Sequence, residues 1–234
     1  MADGLYLAMA GATARSAQLD SIADNLANAE TPGFKAARPA FQSFLAPAGA
    51  AGEQYVAAIA TGIDLRPGPT TTTGNALDVL PEDGGYLAVQ TGSGVAFTRN
   101  GRLALDASGV LTAAGAPVLS LTGKPFVVPP GSKVSIGPDG MVLASGQPMD
   151  RLGVFRLEGA VDRLGTSLLA PNENGRAVAV EPRVRTGEIE LGNAAPLEST
   201  VQMISAQRHF DAAMQALQTY KTMDDRTTDL GKVR

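Results

Sequence analysis

The side chains that could do chemistry are few. His209 is the only histidine of the 234 residues and there is no cysteine. The lack of cysteine excludes a thiolate nucleophile and a disulfide framework, and with one histidine neither a His-based metal site nor a triad can be assembled with the usual neighbours. His209 stands beside Arg208 inside a helical stretch, where a surface or interface imidazole is expected. The run Gly92-Ser93-Gly94-Val95-Ala96-Phe97 opens like a dinucleotide-binding loop. Its sixth position is Phe and no helix follows, so the phosphate-cradling geometry is missing. Asp83, Asp106, Asp139 and Asp150 could in principle pair as carboxylates. The first three lie in or beside Gly-containing turns, where Asp side chains cap the local backbone. Asp224 and Asp225 are adjacent on a helix and point different ways. No catalytic, cofactor-binding or metal-ligating residue is nominated, no cofactor is expected, and the chain is read as a non-enzyme.

Composition narrows the partners. A formal net charge of -4 gives no electrostatic reason to bind a polyanion, so nucleic acid is disfavoured. No apolar run approaches the roughly 18 residues of a membrane span, so insertion is not expected. The first residues carry Asp3 and no basic cluster, and Arg15, Gln18, Asp20 and Asp24 interrupt the apolar pattern that follows, which is unlike a cleavable secretory signal. With 44% hydrophobic residues the chain can bury a substantial core.

The elements that would position any site fall into three parts. Residues 1–30 lack Pro and place Leu5, Ala12, Leu19 and Leu26 at seven-residue steps; from Leu197 onward Met203, Ala206, Phe210, Ala213, Leu217 and Tyr220 alternate steps of three and four. Both patterns lay an apolar stripe along a helix and suit coiled-coil-like packing. The first helix should stop at Glu30-Thr31-Pro32-Gly33, since Pro32 lacks an N–H and Gly33 permits a left-handed turn. Residues 31–75, with Pro32, Pro39, Pro47, Pro67 and Pro69, read as an extended connector with a short strand near Gln54 to Ile59. Residues 76–196 read as β. Tyr86–Gln90, Val95–Arg99, Arg102–Leu105, Val110–Thr112, Pro117–Leu119, Phe126–Val128, Val134–Ile136 and Met141–Leu143 are strand-formers, continued by Gly153–Leu157 and Val178–Val184. Asn100-Gly101 is expected to form a type I′ hairpin turn, with both residues at positive φ. The fold class is therefore α+β: long N- and C-terminal helices paired like a coiled coil (1–30 and 197–234), and an inserted antiparallel β barrel or sandwich (76–196).

Several blocks carry a resemblance. Tyr6-Leu7-Ala8-Met9-Ala10-Gly11-Ala12 and then Ile22 to Lys35, with Asn25-Leu26-Ala27-Asn28 followed by Thr31-Pro32-Gly33-Phe34-Lys35, closely resemble the signature of the flagellar basal-body rod and hook proteins. Gly74–Val79, Gly85–Val89 and Phe97-Thr98-Arg99-Asn100-Gly101 look like that family's central block. Glu198 to Ile204, with Arg208, Phe210 and Met214, look like its terminal helix. The short length and the early Ala-Met-Ala-Gly-Ala element favour the proximal-rod branch, with the distal-rod branch as the alternative.

The resemblance implies a structural subunit of a self-assembling helical tube in the basal body. Such a subunit would transmit torque, conduct exported subunits, and be exported by the flagellar type III apparatus without a cleavable signal. Its partners would be other proximal and distal rod proteins and copies of itself, with no small-molecule substrate. Terminal helices would line the tube while the β domain faces outward. Leu5, Met9, Ala12, Leu19, Ile22, Leu26, Met203, Phe210 and Leu217 are then the expected assembly interface. The turn built on Asn25, Leu26, Asn28, Thr31, Pro32, Gly33 and Phe34 would redirect the chain, with Phe34 anchored in an apolar site. The rival is a soluble binding or enzymatic β domain whose helices pair only within one molecule.

Overall fold

A computed structural model describes the backbone of residues 2–45 and 54–231 and the side chains of residues 9–38, 62–223 and 226. The chain divides into two compact units, one carrying the terminal helices and a β-ribbon, the other made of Asn28–Ala36 and Ile63–Ala194.

In the helical unit, α1 (Ala2–Ala27) lies against α2 (Pro196–Gly231) and against β1 (Ala37–Leu45), which forms a two-stranded ribbon with β2 (Gln54–Ile63). The ribbon occupies part of the stretch read as an extended connector. Pro196 opens α2, where its missing N–H costs nothing, and Glu198 in the first turn complements the helix dipole. The three-four spacing of α2 appears as a face from Ser199 to Leu217: Ser199 and Ala206 are buried, and Met203, Phe210, Ala213 and Leu217 are half-buried, whereas Tyr220, expected on the same stripe, is exposed. On α1 Ala12, Ala14 and Ile22 are buried, Leu19 and Leu26 half-buried, and Met9 is exposed, while the side chain of Leu5 lies outside the described residues. Asn25 ties the helix end to the ribbon: its amide donates to the Ala37 carbonyl and its Oδ1 accepts from the Ala37 N–H, both at 2.8 Å.

Within the second unit every strand pairing is antiparallel. After β3 (Thr70–Thr72) and β4 (Val79–Pro81), β5 (Tyr86–Thr91) and β6 (Gly94–Thr98) form a hairpin. A small sheet follows, of β7 (Leu103–Leu105), β8 (Leu111–Ala113) and β9 (Ala116–Pro117), then a second of β10 (Val134–Ile136), β11 (Met141–Ala144) and β12 (Gln147–Arg151). The long hairpin of β13 (Val154–Arg163) and β14 (Leu168–Ala179) closes a four-stranded barrel in the order β13-β14-β6-β5. Finally β15 (Val184–Thr186) returns to β4, and β16 (Glu188–Glu190) to β3. Of the expected strands, Phe126–Val128 makes only an isolated bridge from Val127 to Val110, and Val178–Val184 splits between the end of β14 and the start of β15.

Strand β5 explains why this chain can hold two apolar clusters. Leu87 and Val89 point into a core with Val79, Leu111, Val118, Val142 and Leu152, whereas Tyr86 and Ala88 point into another with Phe97, Leu119, Leu157 and Leu169. Side chains alternate across a strand, so a continuous apolar run must be covered on both faces. Phe97 also stacks at 5.3 Å and a tilt of 60° on Phe155.

Asn100-Gly101 corrects the sequence reading. Neither residue has positive φ, and β6 does not pair with β7. Positive φ at two successive residues occurs instead at Asp83-Gly84, between β4 and β5, at Ala114-Gly115, joining β8 to β9, and at Ser145-Gly146, joining β11 to β12. Gly101 is instead a point of close approach: its carbonyl accepts the Val79 N–H at 2.9 Å, and a Cβ there would sit 1.5 Å from the Val79 oxygen. Gly101→Ala should therefore displace β4 and lower Tm by about 6–12 °C. Gly92→Ala, whose Cβ would meet nothing within 4 Å, should leave it near wild type. Thermal melts of the two variants side by side check this, and equal melting would contradict the close approach.

Candidate functional site

Charged side chains are almost never fully buried unless paired. Among the described residues of the second unit four are buried: Asp78, which accepts from the Asn75 amide at 3.2 Å, and Lys35, Arg99 and Glu190, whose side chains are 1%, 6% and 0% exposed and which bond one another. The last three come from remote places: Lys35 from the turn after α1, Arg99 from the end of β6, Glu190 from the end of β16.

Glu190 is the hub. Its Oε1 accepts from Lys35 Nζ at 2.6 Å and from the Gly68 N–H at 3.0 Å, and its Oε2 accepts from Arg99 Nε at 2.8 Å and from Arg99 Nη2. The cations spend their remaining donors on carbonyls. Lys35 Nζ donates to Arg66 O at 2.8 Å, and Arg99 Nη1 donates to Pro81 O at 3.0 Å and to Gly85 O. The Arg99 guanidinium also lies 5.7 Å from the Tyr86 ring centroid.

Burial alone would push the Glu190 carboxyl up, but Arg99 and Lys35 beside it prevail and hold it below the usual carboxylate range. Burial pulls the Lys35 ammonium below its ordinary value, against the opposing pull of Glu190. Burial raises the Tyr86 phenol, against Arg99.

Around this hub the turn leaving α1 docks on the segment leading to α2. The Gly33 N–H donates to the Glu190 carbonyl at 2.9 Å, and the Asn193 N–H to the Phe34 carbonyl at 3.3 Å. Asn193 Oδ1 accepts the Ala36 N–H at 2.6 Å while its amide reaches Asp64 O at 2.7 Å and Arg66 O at 2.9 Å. A Cβ on Gly192 would press on Asn28 O at 2.5 Å, and one on Gly33 would sit 2.1 Å from Asn100 N. Gly33 has φ +70°, so the left-handed turn read from the sequence is present. Phe34 is fully buried, with Arg163 stacked 4.6 Å above its ring and donating to the Lys35 carbonyl. Its anchor is therefore capped by a cation. Thr31 closes the turn, its N–H on Asn28 O at 3.0 Å, and Pro32 is half-buried.

The Asp residues considered for chemistry cap turns or bind locally. Asp106 Oδ1 accepts from Ser108 N, Ser108 Oγ and Val110 N at 2.7–2.8 Å, and Asp139 Oδ1 from Met141 N at 3.3 Å. Asp150 Oδ2 accepts from Thr122 Oγ1 at 2.8 Å. His209 is exposed on α2.

Three family models match separate stretches of the chain. One described as flagella basal body rod protein covers residues 5–35, one described as flagellar hook protein FlgE/F/G D1 domain covers 82–144, and one described as flagellar basal body rod FlgEFG protein C-terminal covers 185–230. The chain is 32% identical over 98% of both sequences to the flagellar basal-body rod protein FlgF of Salmonella typhimurium. The chain belongs to the flagellar basal-body rod family. The FlgF of Escherichia coli is likewise 32% identical over 93% of both chains, and the FlgG of Bacillus subtilis 29% identical over 94% of this chain and 95% of that one. Each of the three matched stretches contributes one member of the ion network: Lys35, Arg99 and Glu190 in turn. The network is thus where the modules of this rod-family chain are fastened together.

Sequence reasoning reached Lys35 and Arg99 as motif letters but assigned them no partner, and it missed Glu190, Asn193 and Arg163. The one available signal was the pair of cations inside otherwise apolar or turn motifs, which implied a carboxylate somewhere.

Removing Glu190 leaves two buried cations uncompensated. Glu190→Gln should cost about 3–5 kcal/mol at neutral pH. A depressed folded-state pKa means that the unfolded chain binds more protons as the solution is acidified, so the contribution of Glu190 is complete above the unfolded value and is lost as pH falls through the folded one. Urea midpoints measured from pH 6 to pH 3 should fall for the wild type. They should start lower and fall less steeply for the Gln variant, and superimposable curves would remove Glu190 from the hub.

Proposed function

We propose that the chain is a structural subunit of the flagellar rod, of the FlgF type, that assembles with copies of itself and with other rod proteins. The full-length similarity to FlgF from two enterobacteria supports the FlgF assignment over FlgG. The similarity to Bacillus subtilis FlgG supports a distal-rod reading as the second choice.

The observation that carries an assembly role is that α2 is apolar on two sides. One stripe is buried in the helical unit, while Leu197, Val201 and Ile204, at i, i+4 and i+7, are 81%, 62% and 49% exposed. Arg208 and His209 flank that second stripe, and with Val201, Ile204 and Ser205 they line a shallow groove of about 400 Å³. An exposed apolar stripe of this length is a surface for another helix. On α1 Met9, Thr13 and Ala17 are exposed, a second and differently shaped face. Contacts between unlike faces generate an open helical array when the rotation from one copy to the next does not close into a ring.

In this reading α1 and α2 pair like a coiled coil, residues 1–30 and 197–234 form the inner tube, 31–75 connect, and 76–196 face outward. Met9, Ala12, Leu19, Ile22 and Leu26 on α1, together with Leu5, and Met203, Phe210 and Leu217 on α2 then form the assembly seam. The subunit carries torque through the basal body and reaches it through the flagellar export apparatus.

Leu19→Asp and Ile204→Asp, each in a strain lacking the chromosomal copy, should prevent incorporation into basal bodies and abolish spreading in soft agar. The β unit of each purified variant should keep its wild-type melting. Normal motility of either variant would refute the seam to which that residue belongs. Complementation of strains lacking either the FlgF-type or the FlgG-type protein separates the two rod assignments.

A further inference from the structure

We propose that the Lys35–Glu190–Arg99 network is a separable latch. Residues 31–36, 66–72 and 188–193 open as one cooperative unit while the barrel stays folded, and the latch decides whether the chain segments leaving α1 and entering α2 are held side by side.

Three features carry this. First, the latch stands outside both apolar cores of the β unit: Phe34, Lys35, Glu190 and Asn193 belong to neither. Its strand component, β3 with β16, is a two-stranded ribbon with no third strand, and β3 is exposed throughout. Such ribbons are marginal on their own, so this one depends on what its β16 side chains bury, Ile189 and the Glu190 network.

Second, the bonds of the latch run chiefly among its own segments. Glu190 joins Gly33, Lys35 and Gly68, and Asn193 joins Phe34, Ala36, Asp64 and Arg66. Two arginines reach it from the barrel side, Arg99 after β6 onto the carboxylate and Arg163 of β13 onto the Phe34 ring and the Lys35 carbonyl. Arg99 also donates to Pro81 O and Gly85 O, which lie outside the latch segments. Release of the latch therefore requires no barrel strand to separate. A hollow of about 500 Å³ lined by Pro67, Thr70, Leu80, Arg99, Arg185 and Glu190 already lies beside the network and gives water a way in.

Third, the counter-charge comes late in the chain. Lys35 and Arg99 share one carboxylate that lies 155 and 91 residues away from them. Neither cation can be buried at acceptable cost before Glu190 arrives. The turn after α1 therefore docks only when the segment leading to α2 has returned, and both are fixed in one step.

Native-state hydrogen exchange of the full chain in rising urea tests this. The amides of Gly33, Gly68 and Asn193 report the latch; those of Ala88, Leu119 and Gly153, bonded to Gly153, Ala88 and Leu119 carbonyls respectively, report the barrel. The latch amides should share one opening free energy, below that of the barrel amides. Glu190→Gln should speed their exchange by roughly 100-fold or more and leave the barrel amides within a few-fold of wild type. The proposal is overturned if the wild-type latch amides exchange only with global unfolding. It is equally overturned if the variant speeds both sets alike or loses barrel protection altogether.

Discussion

Desolvating a carboxylate and two cations costs several kcal/mol per ion, which their attraction offsets only when geometry is good and every remaining donor is used. Glu190 meets that demand. Four N–H groups converge on its two oxygens, and the donors left over on Lys35 and Arg99 end on backbone carbonyls. The arrangement leaves little tolerance for alternative registers, because a one-residue slip of β16 against β3 would turn Glu190 to the opposite face and strand two positive charges. Register at the outer ribbon is thus fixed by charge together with the burial of Ile189.

The rest of the β unit is organised to bring the two distant ends of its own sequence to that point. Strands β15 and β16 return across more than a hundred residues to pair with β4 and β3, and Gly192 allows the returning chain to touch the carbonyls of Asn28 and Ala29. Close backbone approach does the same elsewhere, at Gly101 against Val79. Apolar burial supplies the bulk, with β5 covered on both faces, but the polar and backbone contacts decide where the chain enters and leaves.

Legibility in the sequence followed the range of the forces involved. The helices were readable because three-four spacing and Pro32-Gly33 are local signals, and α2 half-buries or buries the marked stripe from Met203 to Leu217 while Tyr220 at its end is exposed. Strands such as β5, β6, β10 and β11 were readable because they are apolar runs. Strand β14 was not: Pro171-Asn172-Glu173-Asn174-Gly175 spells a turn, yet β13 pairs with Pro171 before it and Gly175 after it, so the strand passes it as an irregularity in the ladder. Asn100-Gly101 misled because its glycine answers to Val79, some twenty residues away, whereas the left-handed turns fell at Asp83, Ala114 and Ser145, residues whose short side chains tolerate that region at modest cost. Glu190 was hidden for a similar reason. In Glu188-Ile189-Glu190 simple alternation sends both acids outward, and only partners distant in sequence make the second an interior residue.

The lengths of the helices have a consequence of their own. At 36 residues α2 is about 54 Å long, and α1 at 26 residues about 39 Å, so one molecule cannot sheathe its own longer rod. The difference, about 15 Å of helix, is surface that no helix of α1's length can cover, and Tyr220 and Met223 of α2 are 45% and 56% exposed.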